Sequence, residues 1–459
     1  MSFKNVDLIK SYVDKEKNHF IKGLSDFLSI KSISAQNIGM EECAYFLKDA
    51  MDSIGIKTEL WELEGAYPVI YGECLDPKAE KTLLIYGHYD VQPPEPLELW
   101  DSDPFTPMFR EGKIYARGAT DDKGNLWATI MAIKTLKENN IELPINLKFF
   151  FEGEEEVGSP NIEAYLNKYQ DRLKDASYTI LCDRGIHESG RPQLYLGNKG
   201  IMSVEVFLRG AKRDVHSGQA PLIPNPAWQL IWLLEKLKNE ADEILIPGYY
   251  DDVNKPSAED IKLMSNIPFN QEEYCDIYDI NDILVEGDGV QVLSKLLFRP
   301  TATINGLTSG YQGEGNKTII PSYASVKMDF RFVDGQNPLK CAELVKDFLK
   351  EHAPEGAEIK MSSPKNPSKV SPQAEVVQVA IEAAREVYGS EPVVWPLLDG
   401  SGPMSLFEEI LDAPAIIIGL GAPFSLANTH APNENIGVED YLNGIKLMAT
   451  IYSQYGKRE

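Results

Sequence analysis

The stretch KFFFEGEEEVGS, residues 148–159, places four glutamates directly after a run of three phenylalanines. A short apolar run of this kind is typical of a buried strand in a parallel sheet. The glutamates are Glu152, Glu154, Glu155 and Glu156. Carboxylates crowded at a partly desolvated strand end repel one another and resist ionisation. They must therefore either lie in water or be compensated by nearby positive charge.

Three further apolar runs also lead to polar side chains. The run TLLIYGHYD ends at His88 and Asp90, SYTILCDRG ends at Asp183, and PAIIIGLGAP leads into a loop that reaches His430. Helical stretches lie between these runs, and strands that alternate with helices predict a mainly parallel α/β sheet. Because such sheets bind ligands beyond the carboxyl ends of their strands, we expect these polar side chains to meet at one edge.

Each of these residues also has a simpler explanation when it is considered alone. His88 could be a buried core histidine, Asp183 a turn residue, and the glutamates part of a solvated loop. In RGATDDKGN, Asp121 or Asp122 could cap the helix that follows. If each residue had its own simple explanation, four unrelated polar groups would have to meet at one sheet edge by coincidence. A single metal centre would explain all four.

A metal centre would use the residue types that are present. Zinc takes histidine nitrogen and carboxylate oxygen as ligands, and its catalytic sites leave a position open for water. Asp90 lies two residues after His88, so on a strand the two side chains share a face. The Asp90 carboxylate can then orient the imidazole ring, as partners of metal-bound histidines commonly do.

The pattern changes between residues 199 and 373. The segments IMSVEVFLRG and ASVKMDFRF alternate strictly between apolar and polar residues, which indicates half-exposed antiparallel strands. Each is followed by a helical stretch, and two strand–helix units in series predict a small α+β sandwich. We therefore predict a catalytic domain formed by residues 1–198 and 374–459, with residues 199–373 inserted as a second domain. The acidic stretch 240–300 is expected to be an irregular elaboration of that domain.

The composition excludes several classes of function. The 459-residue chain has a formal charge of −25, whereas nucleic-acid binding requires a basic surface. No apolar run approaches the ~20 residues of a membrane span, and the N-terminal stretch lacks the apolar core of a signal peptide. Five scattered cysteines without a CxxC pair indicate reduced thiols. We predict a cytoplasmic protein that binds neither nucleic acid nor a membrane.

The motifs resemble those of a known family. In chain order they are GHYDVQP, WDSDPF, YARGATDDKG, EGEEEVGS, LCDRG, VHSG and NTHAPNE. This series is similar to the carnosinase, acetylornithine deacetylase and glutamate carboxypeptidase family of co-catalytic zinc metallopeptidases. The carnosinase-like cytosolic dipeptidase branch fits best. The resemblance implies a mainly parallel α/β catalytic domain with an inserted α+β lid and dimerisation domain.

The resemblance also implies two divalent metal ions per chain. His88 and Asp183 would bind one ion, Glu156 and His430 would bind the other, and Asp121 would bridge them. In this family the peptide bond from Asp121 to the next residue is often cis. Zinc is the expected metal, although such ligands also suit manganese or cobalt.

For catalysis, the resemblance implies that Glu155 is the general base and that Asp90 supports the site. Glu152 and Glu154 would then lie in water or support the ligands from outside. His216 would stabilise the oxyanion of the tetrahedral intermediate from the partner subunit of a homodimer, although a surface histidine in a turn is the simpler interpretation.

Three further residues match substrate-contact positions of the family. Arg331 would bind the terminal carboxylate of the substrate, although it could instead form a surface ion pair. Thr318 and Ser401 would also contact the substrate. We therefore expect hydrolysis of dipeptides or short peptides with a free C-terminal carboxylate, by a hydroxide shared between two metals. The alternatives are an N-acyl-amino-acid deacylase on the same scaffold, such as a desuccinylase or deacetylase, and a non-catalytic binding protein, which retention of Glu155 disfavours.

Overall fold

The computed structural model describes residue 3 and residues 5–457. The strands before residue 199 are β1 (Lys57–Trp61), β2 (Val69–Cys74), β3 (Thr82–His88), β4 (Met108–Arg110), β5 (Lys113–Tyr115), β6 (Asn146–Glu152), β7 (Tyr178–Leu181), β8 (Gln193–Tyr195) and β9 (Gly197–Asn198). The helices of this part are α1 (Val6–Lys15), α2 (Lys17–Leu28), α3 (Met40–Ser53), α4 (Lys123–Glu138), α5 (Ile162–Lys168) and α6 (Gln170–Leu173).

Residues 199–373 are called the lid segment below. Its strands are β10 (Gly200–Arg209), β11 (Val215–His216), β12 (Thr301–Ser309), β13 (Ile319–Ile320), β14 (Tyr323–Phe332), β15 (Glu358–Met361) and β16 (Ser368–Lys369). Its helices are α7 (Pro226–Leu237), α8 (Ala258–Ser265), α9 (Gln271–Tyr278), α10 (Gly289–Phe298) and α11 (Pro338–His352).

The remaining elements follow residue 373. They are α12 (Glu375–Tyr388), β17 (Val393–Trp395), α13 (Met404–Leu411), β18 (Ala415–Ile418), α14 (Phe424–Ala427), β19 (Asn435–Gly437) and α15 (Val438–Gln454). Short 3₁₀ helices cover Ser34–Gln36, Leu97–Leu99, Glu155–Val157 and Ser217–Gln219.

The central sheet has eight strands in the order β1-β2-β6-β3-β7-β18-β8-β17. The four adjacent strands β6, β3, β7 and β18 run parallel to one another. They are the four apolar runs identified in the sequence, and the side chains of Phe149, Phe150 and Phe151 are fully buried. The predicted mainly parallel α/β sheet is therefore confirmed, and its polar strand ends meet at one edge.

Helices cover both faces of this sheet. On one face α4 and α15 pack against each other and against the strands in the larger core. On the other face α5 and α13 form a smaller core with Trp61 and Phe150. Because α4 begins directly after Asp122, the packing of this buried helix fixes the position of the two preceding aspartates.

The lid segment contains a four-stranded antiparallel sheet in the order β12-β14-β10-β15. The alternate apolar side chains of β10 and β14 are buried against α7 and α11, as the period of two predicts. The opposite face of the sheet is more polar and carries Arg331. The boundaries that we predict for this domain, 199 and 373, stay a prediction.

The expectation that residues 240–300 are irregular is wrong. Three helices, α8, α9 and α10, lie in this stretch. Both α8 and α10 begin with a capping box, formed by Ser257 with Asp260 and by Asp288 with Gln291. Helix α8 packs against β17, and α10 packs against α8. Met264 of α8 and Leu293 of α10 join one core with Val393 of β17. This apolar packing stabilises short helices that would be marginal in isolation.

Within residues 5–457, no helix is both long enough and apolar enough to cross a bilayer. All five cysteines are free thiols, as predicted. The cytoplasmic location stays a prediction.

Candidate metal centre

His88 is the last residue of β3 and is fully buried. Its Nδ1 lies 3.1 Å from the backbone oxygen of Asp90 and 3.3 Å from Asp90 Oδ1. Its Nε2 lies 3.2 Å from Asp121 Oδ1 and 3.9 Å from Asp183 Oδ2. This Nε2 is buried and has no partner in hydrogen-bonding geometry. Asp90 therefore holds one side of the ring, and on the other side Nε2 faces the carboxylates of Asp121 and Asp183, free to bind a metal ion.

Asp121 lies between the two histidines. Its Oδ1 faces His88, and its Oδ2 lies 2.9 Å from His430 Nε2. Burial opposes its ionisation, but the neighbouring imidazoles of His430 and His88 hold its pKa well below the usual range. The Asp121–Asp122 peptide bond is cis, as the resemblance implied. One oxygen towards each histidine is the arrangement that a bridging carboxylate requires.

Glu156 and His430 form the second half of the cluster. Glu156 Oε2 lies 3.3 Å from His430 Nε2. The glutamate is held by Gln92, whose backbone N and side-chain Nε2 donate to its carboxylate at 3.1 and 2.8 Å. Hydrogen bonds to Asp121 and Glu156 raise the pKa of the half-exposed His430 to about 10.

Asp183 and Glu155 complete the cluster next to His88. One ligand atom from each of these three residues lies within 4.8 Å of the other two. Burial and the neighbouring Asp121 raise the pKa of Asp183 well above its ordinary value. Burial also raises the pKa of Glu155; nearby His88 lowers it, while Asp121 raises it. A carboxylate that accepts a proton readily is suited to act as a general base.

Together these donors fit divalent cations. We call the set His88, Asp121, Glu156, Asp183 and His430 the metal centre. It presents three carboxylates and two imidazoles around one space, and an imidazole nitrogen without a hydrogen-bond partner faces that space. Buried charges of one sign are costly unless they are paired or coordinate a metal. Histidine and carboxylate donors suit zinc, manganese or cobalt.

Asp90 supports two parts of the site. As predicted, its carboxylate lies beside the His88 ring. In addition, Asp90 Oδ1 accepts from the backbone N of Glu155 at 3.2 Å, and Oδ2 accepts from that of Glu156 at 3.1 Å. One buried carboxylate thus fixes a histidine of the metal centre and the turn that carries both glutamates. The second contact was not predicted.

Glu434 was missed by the sequence analysis. This fully buried carboxylate accepts from the backbone N of Gly118, Thr120 and Asp121 at 2.9, 2.9 and 3.0 Å. It also pairs with buried Arg117, whose Nη1 lies 2.8 Å away. Glu434 therefore shapes the loop that delivers Asp121. Its only signal in the sequence is that it ends the NTHAPNE motif. Gln92 was also missed, and its only signal is that it lies in the GHYDVQP motif.

The expectation that Glu152 and Glu154 could lie in water is wrong, because both are buried. Glu152 accepts from the hydroxyls of Tyr86 at 2.6 Å and Ser159 at 2.9 Å. Glu154 accepts from Asn161 Nδ2 at 2.9 Å and from the backbone of residue 67 at 3.2 Å. Hydroxyl and amide donors therefore compensate these two carboxylates, whereas Glu156 belongs to the metal centre and Glu155 lies beside it.

Asp122 does not cap α4 with its side chain. It occupies the residue before the helix, but its carboxylate makes no capping hydrogen bond there. Its Oδ2 instead accepts from the backbone N of His88 at 3.2 Å. The simpler explanation of this aspartate as a helix cap is wrong, because its carboxylate accepts from β3 instead.

The predicted substrate residues lie at two places. Arg331 Nη1 donates to Ser401 Oγ at 2.7 Å, a contact that joins the lid segment to the residues after β17. The Arg331 Nε also lies 3.5 Å from Asp329 Oδ1. His216, on β11, and Thr318, directly before β13, are both exposed. They lie together, since the backbone N of Ser217 donates to the Thr318 carbonyl at 3.0 Å. The substrate contacts of all four stay predictions.

Comparison with known proteins identifies the family. The family model described as Peptidase family M20/M25/M40 matches residues 84–454. The chain is 29% identical to the Cys-Gly metallodipeptidase dug1 of Schizosaccharomyces pombe, over 97% of each chain. It is 28% identical to the human Beta-Ala-His dipeptidase, over 97% of this chain and 92% of that protein.

Among solved structures, the M20 family metallo-carboxypeptidase Sso-CP2 from Sulfolobus solfataricus superposes with a TM-score of 0.89. The two are 38% identical, over 96% of this chain and 99% of that one. Because the family match covers most of the chain, this protein belongs to peptidase family M20/M25/M40 and is a metallopeptidase. The predicted family resemblance is thereby confirmed.

Proposed function

We propose that this enzyme hydrolyses the amide bond of dipeptides or short peptides that have a free C-terminal carboxylate, with two divalent metal ions per chain. The observation that carries the proposal is the position of Asp121 between His88 and His430, with Glu155 beside them. The relatives named above are dipeptidases and a carboxypeptidase, which favours peptides over N-acyl amino acids as substrates.

The metal centre would divide its ligands between two ions. His88 and Asp183 would hold one, Glu156 and His430 the other, and Asp121 both. We propose zinc, since tetrahedral sites of histidine and carboxylate suit it. When bound, such ions polarise the scissile carbonyl and lower the pKa of water towards ~7.

Glu155 is the proposed general base. Its backbone N is held by Asp90, so its carboxylate is fixed beside His88 rather than free in the loop. Burial raises the pKa of its carboxyl group. The carboxylate would take a proton from the attacking water and then return that proton to the leaving amine.

Arg331 is the proposed carboxylate clamp. A planar guanidinium binds a carboxylate through two parallel hydrogen bonds. Ser401 Oγ accepts from Arg331 and also donates to the carbonyl of Gly200 at 3.2 Å. The serine thus holds the guanidinium at the junction of the lid segment and the catalytic sheet. Thr318, directly before β13, is also proposed to contact the substrate.

We further propose a homodimer through the lid segment. Helix α7 exposes Trp228, Ile231 and Trp232, with the two indole rings stacked 6.1 Å apart. The edge strand β12 exposes Ile304 and Leu307. Exposed apolar patches with unpaired strand edges favour association. In this dimer His216 of one chain would donate to the oxyanion in the partner's site.

Metal analysis combined with a hydrolysis panel tests the proposal. We expect about two metal ions per chain after loading with zinc, and cleavage of dipeptides in preference to N-acetyl and N-succinyl amino acids. Preferred cleavage of the acylated amino acids would make the enzyme a deacylase. Less than one metal per chain would contradict the two-metal mechanism.

A further inference from the structure

A cavity of about 630 Å³ opens beside Arg331. One wall is the polar face of the lid sheet, where Thr303 and Asp329 line it. A second wall comes from residues 269–296, within the stretch that the sequence analysis expected to be irregular. The volume lies within the range of about 300–1,000 Å³ that small-molecule sites occupy, so it can hold a complete amino-acid side chain.

The wall formed by residues 269–296 is mainly apolar. It includes Phe269, Ile283, Leu284 and Leu296, together with one aspartate and one lysine. Leu284 is 86% exposed, although a leucine of this kind is stabilised by burial. An apolar group in the cavity would cover this side chain and remove its surface from water.

The charges around the cavity disfavour an acidic occupant. Four aspartates line it, against two lysines and Arg331. Lys199 is buried, and its Nζ already donates to the carbonyl of Arg299 at 3.0 Å. If Arg331 binds the terminal carboxylate, the remaining lysines do not outweigh the aspartates. A second carboxylate would be repelled, whereas an apolar side chain meets an apolar wall.

The geometry points to this cavity as the pocket for the side chain of the C-terminal residue of the substrate, with a preference for a large apolar residue. The inference rests on the proposed role of Arg331, because the residue that carries the bound carboxylate must place its side chain next to the guanidinium. Helices α9 and α10 and the loop between them would thus determine specificity, while the metal centre cleaves the bond.

Dipeptides that differ only in the C-terminal residue test the inference. We expect kcat/KM of the metal-loaded enzyme for Ala-Phe to exceed that for Ala-Gly and Ala-Glu by at least about tenfold, since burial of a large apolar side chain contributes that much. Equal values for the three dipeptides would overturn the pocket without affecting the proposed peptidase activity.

The variant Leu284→Asp tests the apolar wall. We expect KM for Ala-Phe to rise about tenfold, while kcat/KM for Ala-Gly stays unchanged. The control is Leu339→Asp, since Leu339 is also an exposed leucine, at 69%, but lies on α11 away from the cavity. In this control variant, the kinetic constants for both dipeptides should stay unchanged. A Leu284→Asp enzyme that loses both activities equally would contradict the pocket.

Binding of free amino acids separates this inference from the proposed function. If no dipeptide is cleaved, calorimetry can still measure the affinities of L-phenylalanine and glycine for the cavity of the metal-loaded protein. Tighter binding of phenylalanine that Leu284→Asp weakens would sustain the pocket and refute the peptidase activity. Equal binding of the two amino acids would refute the pocket.

Discussion

At the residue scale, His88 and Glu156 of the metal centre are held by side chains outside it. Asp90 holds the His88 ring and the backbone of the two glutamates, and Gln92 holds the Glu156 carboxylate. Metal sites that lose such supports typically lose about 10–100-fold in metal affinity or activity. The chemistry of the site therefore extends beyond the atoms that would contact an ion.

Replacing the proposed base should separate chemistry from folding. We expect Glu155→Gln, an isosteric change, to lower kcat by about 10²–10⁴-fold, because an amide cannot accept the proton. Metal content, measured by elemental analysis, should stay the same.

The adjacent Glu154 supplies the matched control. It is buried but accepts from Asn161 rather than facing the metal centre. Glu154→Gln should leave kcat per folded molecule unchanged and lower only the stability. A Glu155→Gln enzyme with wild-type kcat would rule out the assigned base.

At the element scale, the loop before α4 decides whether Asp121 reaches both histidines. The loop surrounds the Glu434 carboxylate, which comes from the segment before β19. A buried carboxylate that accepts several backbone N–H groups shapes the chain around it. Two segments separated by more than 300 residues in sequence thus build one ligand position.

Neutralising Glu434 should destabilise the fold. Glu434→Gln leaves Arg117 buried without its charged partner, and breaking a buried ion pair costs about 3–5 kcal/mol. We expect the free energy of unfolding, measured with urea, to fall by this amount.

Glu439 provides the comparison for this change. It pairs with Lys17 at 2.6 Å, but both side chains are exposed. Glu439→Gln should therefore change the free energy of unfolding by only about 0–1 kcal/mol. Similar losses in the two variants would mean that the Arg117–Glu434 pair contributes no more than a surface pair.

At the scale of the whole molecule, all five residues of the metal centre come from one chain. His216, by contrast, lies exposed on β11 of the lid segment. The proposed homodimer would bring it to the partner's site. A closed two-fold dimer uses the same surface twice, so each site would combine residues from two chains.

Mixing two inactive variants tests this shared site. We expect His216→Ala and Glu155→Gln to be nearly inactive alone. Random subunit exchange should restore about a quarter of the wild-type activity, because half of the dimers are mixed and each contains one complete site. Absence of recovery, with mixed dimers confirmed by mass spectrometry, would place His216 in the site of its own chain. As the control, Glu155→Gln mixed with Asp121→Asn should recover nothing, because both residues act in one chain.

The sequence by itself determined the four parallel strands, the polar residues at their ends and the alternating strands of the lid sheet. These features depend on local periodicity, which a single chain carries in full. The motifs were also enough to identify the family and its expected ligands.

Only the tertiary structure decided how the surrounding acids are compensated. Glu152, Glu154 and Glu434 are buried because donors from distant segments reach them, and no local pattern shows which donors will arrive. Helices α8 and α10 likewise share a core with β17, about a hundred residues later in the chain. Long-range contacts therefore set the support of the metal centre and the shape of the cavity, whereas local pattern placed the polar residues at the strand ends.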